Sequence, residues 1–154
     1  MDRLFPNLPP DPGEEGKRTL EGIDADGDGV RDDVQRAIYR LEPRDERKRR
    51  AMLQYAKALQ QMMLAGTNQE AYFDASDEAF YALICIDEVS GKHSSVRPEP
   101  AIEAEITIET VEYLFYNTEA RVLADLEAEA LIPSGAYKKM PDRWLPGQTT
   151  GFCE

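Results

Sequence analysis

A short acidic segment near the amino end, GIDADGDGVRDDVQ at residues 22–35, has the side chains best suited to chemistry. Between residues 24 and 33 it holds five aspartates and two glycines. Carboxylates crowded into one turn repel one another, which disfavours their simultaneous ionisation. A hard divalent cation reverses that effect, since calcium is bound by about six to eight oxygens at short range. The segment therefore predicts a metal-binding turn.

The spacing of the aspartates follows the order of ligands in an EF-hand loop. Such a loop has side-chain ligands at its first, third, fifth and ninth places, a glycine at the sixth and a backbone carbonyl ligand at the seventh. The predicted ligands are therefore Asp24, Asp26, Asp28, the backbone oxygen of Val30, and Asp32, which binds directly or through a water. Gly29 is expected to form the sharp bend. Calcium is favoured over magnesium, which demands strict octahedral geometry and retains its waters.

The twelfth place of the loop departs from the EF-hand order. An EF-hand has a bidentate glutamate there, whereas this chain has Gln35, a neutral amide with one oxygen to offer. Three possibilities for completing the shell are open: Gln35 itself, Asp33 at the tenth place, or a carboxylate from the acidic stretch at residues 99–112. Each predicts weak affinity, near the ~10⁻⁴–10⁻³ M of extracellular calcium modules.

The sequence DADGDGVRDD at residues 24–33 resembles the calcium loops of thrombospondin type 3 repeats and bacterial EF-hand-like loops of the dockerin and excalibur kinds. The resemblance covers one loop of about a dozen residues, without the tandem array of thrombospondins. It implies calcium as the bound ion. In excalibur loops an acid at the place of Asp33 completes the site, so the resemblance also implies Asp33 as a ligand.

Periodic apolar residues after the loop predict a mostly α fold. We expect an irregular bundle of four or five helices, with the calcium loop before the first and an irregular, proline-rich C-terminal tail. The first helix is predicted from about Asp32 to Pro43, the second over 44–65, and the third from a capping box at Thr67 to about residue 90. Residues 101–131 are ambiguous at EITIET, which alternates like a strand, but helix is favoured.

Residues 1–21 are polar and rich in proline, which predicts a flexible tether before a single helical domain at 22–154. The net charge of −12 excludes nucleic acid as an expected partner, and no apolar run is long enough to span a bilayer. The basic run at 47–50 is interpreted as a solvated helix face.

Two cysteines, Cys85 and Cys153, are predicted to form a disulfide that holds the C-terminal end to the core. The alternative is one buried apolar thiol and one incidental exposed thiol. A disulfide, a tether and a calcium loop together favour an exported protein of the periplasm or cell envelope. We accordingly expect a removed signal or lipoprotein leader, with a lipid anchor, upstream of this sequence.

Catalytic signals are weak. The single histidine, His93, adjoins Ser94 and Ser95, but adjacency in sequence does not form a triad. We therefore expect no enzyme, but a calcium-binding exported protein in which the ion fixes the N-terminal segment and the helices bind a partner. Two alternatives remain: an acidic inhibitor or immunity-type protein for a basic enzyme, and a small hydrolase.

Overall fold

The computed structural model describes residues 4–91, 99–130 and Cys153. Its described part contains five α-helices, one short 3₁₀ turn and no strand. The elements are the 3₁₀ turn Glu15–Lys17, α1 (Asp32–Leu41), α2 (Glu46–Ala65), α3 (Gln69–Ser90), α4 (Glu99–Phe115) and α5 (Glu119–Ala130). The mostly α fold is therefore confirmed. None of the described helices has the length and apolar character needed to cross a membrane.

The helix ends follow from local chemistry. α1 ends before Pro43, and α2 ends at Gly66, whose φ of 54° suits glycine. The predicted cap at Thr67 is wrong by one residue, because the side chain of Asn68 accepts the hydrogen bond from the backbone N–H of Ala71. Asparagine is as good an N-cap as serine and better than threonine.

The ambiguous segment EITIET lies inside α4. Its threonines satisfy their hydroxyls within the helix: Thr107 donates to the carbonyl of Glu103 at 2.7 Å, and Thr110 to that of Ile106 at 2.6 Å. Such bonding to the preceding turn lets a threonine sit within a helix. The alternation of EITIET therefore reflects a helix with one buried face, on which Ala104, Thr107 and Val111 lie.

The core lies between α2 and α3, the most extensive helix pair, with α1, α4 and α5 packed around it. Its most deeply buried apolar side chains are Val34, Ile38, Met52, Met63, Ile86, Val111 and Phe115. α2 is the central helix, since it packs against each of the other four, whereas α3 packs chiefly against α2 and α4. The sulfurs of Cys85, on α3, and Cys153 are 2.11 Å apart, so the predicted pairing of the two cysteines is confirmed.

Residues 4–21, the described part of the segment predicted to be a flexible tether, are mostly exposed but contact the helices at several residues. The Phe5 ring meets that of Tyr39 edge to face at 4.8 Å. Pro9 is buried, and its carbonyl accepts a hydrogen bond from Arg36 at 2.6 Å. Polar side chains of the helices thus hold this stretch, a role that the sequence of the stretch itself does not show.

Several predictions fall outside the described residues. They concern His93 and its neighbouring serines, and the irregular, proline-rich C-terminal tail apart from Cys153.

Candidate metal centre

The acidic loop is closed by its own backbone and by Asp24. The N–H of Asp32 donates to the carbonyl of Ile23 at 2.8 Å, which joins the two ends of the loop. Asp24 accepts hydrogen bonds from the backbone N–H groups of Gly27, Asp28 and Gly29 at 2.8, 3.2 and 2.9 Å. Asp24 therefore organises the turn, as aspartates commonly do through their side-chain oxygens.

Gly29 forms the bend that the sequence predicts. Its φ is 90°, a conformation that side-chain-bearing residues rarely adopt. A Cβ at this position would lie 2.8 Å from Cε of Lys57, so the loop also approaches α2 closely here. Glycine is thus required by the turn, whereas the flexible, exposed side chain of Lys57 could move away from a Cβ.

Three predicted ligands come together. Carboxylate oxygens of Asp24, Asp26 and Asp28 all lie within 4.8 Å of one another, and the three residues are solvent-exposed. This spacing would let one ion contact all three. Exposed acids alone are weak support for a metal site, so the buried groups beside them matter more.

Asp32 is one of these buried groups, with a relative exposure of 0%. One carboxylate oxygen, Oδ1, accepts a hydrogen bond from the N–H of Ala25 at 3.0 Å. The other, Oδ2, is buried and has no hydrogen-bond partner within the described part of the chain. A buried carboxylate oxygen without a donor is unfavourable, and a cation would remove the deficit.

Gln35 supplies the second such group. Its Nε2 donates to Asp26 at 3.1 Å and to Asp28 at 2.7 Å, so the amide reaches into the carboxylate cluster. Its Oε1 is buried and lacks a hydrogen-bond partner among the described residues. Rotation of the amide by half a turn exchanges its nitrogen and oxygen, which would present Oε1 to an ion at the same place.

Electrostatics in the loop agree with its geometry. Partial burial is the main cause that raises the pKa of Asp28 and of Asp32 above the ordinary aspartate value. The neighbouring carboxylates of Asp24 and Asp26 raise both pKa values further. Hydrogen bonds from Val30 and Gln35 to Asp28 oppose this effect without reversing it. The loop therefore disfavours its own negative charge when no cation compensates it.

The remaining predicted ligands are placed differently. Val30 is buried, and its N–H donates to Asp28 at 2.8 Å. Asp33 lies outside the cluster: its Oδ1 accepts from Nε of Arg31 at 3.1 Å and its Oδ2 from the Asn117 amide at 2.7 Å. Helical geometry explains this, because Asp32 and Asp33 open α1 and point to different sides of it.

Two carboxylates of the acidic stretch at 99–112, the other source considered for a closing ligand, are bound to side chains of α2. Glu103 pairs with Lys48 at 3.1 Å, and Glu112 accepts a hydrogen bond from the Tyr55 hydroxyl at 2.7 Å. Within the described structure, Gln35 is the better placed group to complete the shell.

Two buried arginines connect the loop and the N-terminal segment to α4 and α5. Arg31 is 1% exposed and donates to the Phe115 carbonyl at 2.8 Å, with its guanidinium 4.6 Å from the centre of the Phe115 ring. Arg121 is 0% exposed and donates to the carbonyls of Gly16 at 2.6 Å and Thr19 at 3.0 Å. Burial lowers the pKa of both guanidinium groups without discharging them.

Neither arginine was identified as structurally important from the sequence. A weak signal existed for Arg121, the only basic residue among residues 99–130. Arg31 packs so closely on Gly22 that a Cβ at residue 22 would come 2.4 Å from Cδ of Arg31. Such a close approach depends on the fold and cannot be read from spacing.

Comparisons with protein-family models, with characterised proteins and with solved structures find no match to this chain. The likeness to thrombospondin-type and EF-hand-like loops consequently rests on the loop residues alone.

Proposed function

We propose that this protein binds one calcium ion in the loop at residues 24–35. The ligands would be the carboxylates of Asp24, Asp26, Asp28 and Asp32, the backbone oxygen of Val30 and the side-chain oxygen of Gln35. The observation that carries the proposal is the buried oxygen Asp32 Oδ2, which lacks a hydrogen-bond donor within the described part of the chain and lies beside the carboxylates of Asp24, Asp26 and Asp28. This donor set is all oxygen, which suits a hard cation.

The role of the ion is structural. The loop lies between the packed N-terminal segment and α1, and Arg31, inside the loop, contacts the carbonyl of Phe115 at the end of α4. Stabilising the loop would therefore hold the N-terminal segment on the helices. A single loop without a partner loop favours such a fixing role over calcium sensing.

We further propose that the protein is exported and acts as a binding module of the cell envelope. The pairing of Cys85 with Cys153 supports this location, since stable disulfides form in oxidising compartments. The weak calcium affinity that we expect would suit the same surroundings. The lipid anchor and the absence of enzymatic activity stay predictions.

The test is calorimetric titration with calcium together with thermal unfolding. Calcium should bind once, with a dissociation constant of ~10⁻⁴–10⁻³ M, and raise the melting temperature by mass action. Asp24→Ala and Asp28→Ala should abolish most of both effects. Asp74→Ala, at an exposed aspartate of α3, is the matched control and should leave them unchanged. No heat and no stabilisation at millimolar calcium would refute the proposal.

An acidic inhibitor of a basic enzyme is the second candidate. α4 and α5 combine acidic residues with exposed apolar side chains, among them Ile102, Ile106, Leu123 and Leu126. A surface of that kind suits a basic partner with an apolar centre. Binding to such a partner should weaken steeply with salt, whereas calcium chelation should leave it unchanged.

A further inference from the structure

A cleft of about 520 Å³ lies between the N-terminal segment and the acidic loop. Leu4, Phe5 and Tyr39 line its apolar part, while Asp26, Asp28 and Gln35 line its polar part. The three polar residues belong to the proposed calcium site. One side of that site therefore opens into a cleft large enough for a small molecule.

The number of ligands available from the chain leaves room for an added one. The four aspartates, Val30 and Gln35 supply six oxygens if each gives one, whereas calcium takes about six to eight. The bidentate glutamate of an EF-hand would supply two oxygens where Gln35 supplies one. Because Gln35 lines the cleft, an added oxygen ligand would approach from the cleft.

The charge of the site determines whether the added oxygen ligand is anionic or neutral. Four carboxylates already exceed the charge of a divalent cation, and the chain as a whole carries −12. An anionic ligand would be repelled by this excess. Neutral oxygens, of water or of a hydroxyl group, can bind the ion without adding charge, and a hydroxyl on a molecule held by the apolar wall would replace such a water.

The apolar part of the cleft is built on a fixed pair of rings. Phe5 and Tyr39 meet edge to face at 4.8 Å. The Arg49 guanidinium lies 5.1 Å from the Phe5 centroid and 5.0 Å from that of Tyr39. Stacking of a guanidinium on aromatic rings favours one arrangement of all three groups. Leu4 extends this wall and is 69% exposed.

We propose that this cleft is a calcium-dependent binding site for a neutral carbohydrate. Two adjacent hydroxyls of a sugar ring would complete the calcium shell, and the apolar C–H face of the ring would pack on Leu4, Phe5 and Tyr39. This inference rests on the proposed calcium site. It gives the exported module a partner class, the glycans of a cell surface.

The test uses the full chain and three soluble probes: methyl mannoside, methyl galactoside and glucuronate. The two glycosides present adjacent hydroxyls in different arrangements, and glucuronate adds a negative charge. Calcium is titrated by calorimetry with and without each probe, and the Tyr39 ring is followed by NMR. At least one glycoside should raise calcium affinity about fivefold and shift the Tyr39 resonances only when calcium is present.

Variants separate the sugar site from the metal site. Leu4→Ser and Tyr39→Ala should remove the effect of the sugar while calcium alone still binds. Leu64→Ser changes a leucine that is 42% exposed at the end of α2, away from the cleft, and serves as the control. It should change neither titration.

Each unfavourable result identifies what failed. Calcium binding without a response to either glycoside overturns the sugar site and leaves the proposed function standing. Absence of calcium binding in the first titration removes the proposed function as well. A sugar response that persists with chelator, or tighter binding of glucuronate than of the glycosides, contradicts the metal-bridged neutral ligand.

Discussion

The side-chain nitrogen of Gln35 lies 2.7 Å from Oδ2 of Asp28, and the same nitrogen donates to Asp26 at 3.1 Å. A neutral amide thus joins two carboxylates that would otherwise only repel one another. An EF-hand has a bidentate glutamate at the twelfth place of its loop, whereas Gln35 at this place donates hydrogen bonds. Glutamine in place of glutamate therefore helps the loop to keep its shape without an ion, but it lowers the affinity of the loop for calcium.

Gln35→Glu should therefore raise the affinity of the loop for calcium and lower the stability of the calcium-free protein. A second oxygen and a negative charge are expected to raise calcium affinity by about tenfold, or about 1.4 kcal/mol. Without calcium, the added carboxylate beside Asp26 and Asp28 should lower the melting temperature. Calorimetry and thermal unfolding in chelator measure the two effects.

Gln61→Glu, which adds the same charge at an exposed position of α2, is the control for Gln35→Glu. Unchanged calcium affinity in Gln35→Glu would show that Gln35 lies outside the calcium shell.

The second prediction concerns pH. The folded, calcium-free chain raises the pKa of Asp28 and Asp32, mainly through burial, so it holds their protons to higher pH than the unfolded chain does. Their contribution to stability is present below the ordinary aspartate pKa of 3.8 and is lost as pH rises through the raised pKa values. Calcium compensates the ionised forms, so the gap in melting temperature between calcium and chelator should widen over this range.

Asp32→Asn provides the matched variant for this measurement. It keeps an oxygen for the N–H of Ala25 but cannot ionise, so in chelator it should flatten the decline of stability with pH. Groups elsewhere with shifted pKa values, such as Asp11 and Asp125, change the melting temperature equally with calcium and with chelator. They therefore leave the difference between the two melting temperatures unchanged. A gap that stays constant from about pH 4 to 7 would contradict the prediction.

The sequence predicted the helices because their signals are local. Apolar spacing, Pro43 and Gly66 act within a few residues, and the observed ends of α1 and α2 lie within two residues of the predicted ones. The N-cap of α3 was misplaced at Thr67 because the adjacent Asn68 is also a suitable capping residue.

The site was predicted in part for the same reason. Asp24, Asp26 and Asp28 converge through a turn that their own spacing encodes. Asp33 was expected in the shell, yet its oxygens accept from Arg31 and Asn117, and the second of these is remote in sequence. Contacts that form only when α1 meets the end of α4 leave no periodic signal, so the sequence did not reveal these partners of Asp33, and its role as a calcium ligand stays a prediction.

The third prediction concerns Arg121, which joins the N-terminal segment to α5. Its guanidinium donates to the carbonyls of Gly16 and Thr19, and also to that of Leu20 at 3.3 Å. Arg121→Met would leave these carbonyls without their donors and should lower the free energy of unfolding by about 3 kcal/mol. Arg121→Lys should recover only part, since an ammonium cannot reproduce the planar set of donors.

Chemical denaturation measures the loss of stability, and amide hydrogen exchange at residues 14–22 locates it. Arg50→Met is the control, because Arg50 is exposed and pairs with Glu46 on the same helix. It should change stability by no more than about 0.5 kcal/mol. Equal effects of the two substitutions would show that the buried network does not hold the segment.

The fourth prediction concerns the bond between Cys85 and Cys153, which are separated by 68 positions in sequence. Closing a loop of this length restricts the unfolded chain, so reduction should lower the free energy of unfolding by about 4 kcal/mol. Cys153→Ser should have the same effect and should make the chain insensitive to reductant. Cys85→Ser should cost more, because Cys85 is 0% exposed in the core and a hydroxyl there would need a hydrogen-bond partner.

Denaturation with and without reductant gives these differences, and alkylation followed by mass spectrometry counts free thiols in the chain as isolated. A bridged chain should take up no alkylating agent until it is reduced. Two labelled thiols before reduction, with no change in stability on adding reductant, would remove the bridge. They would also remove the structural support for an oxidising compartment, since stable disulfides are the feature that indicates one.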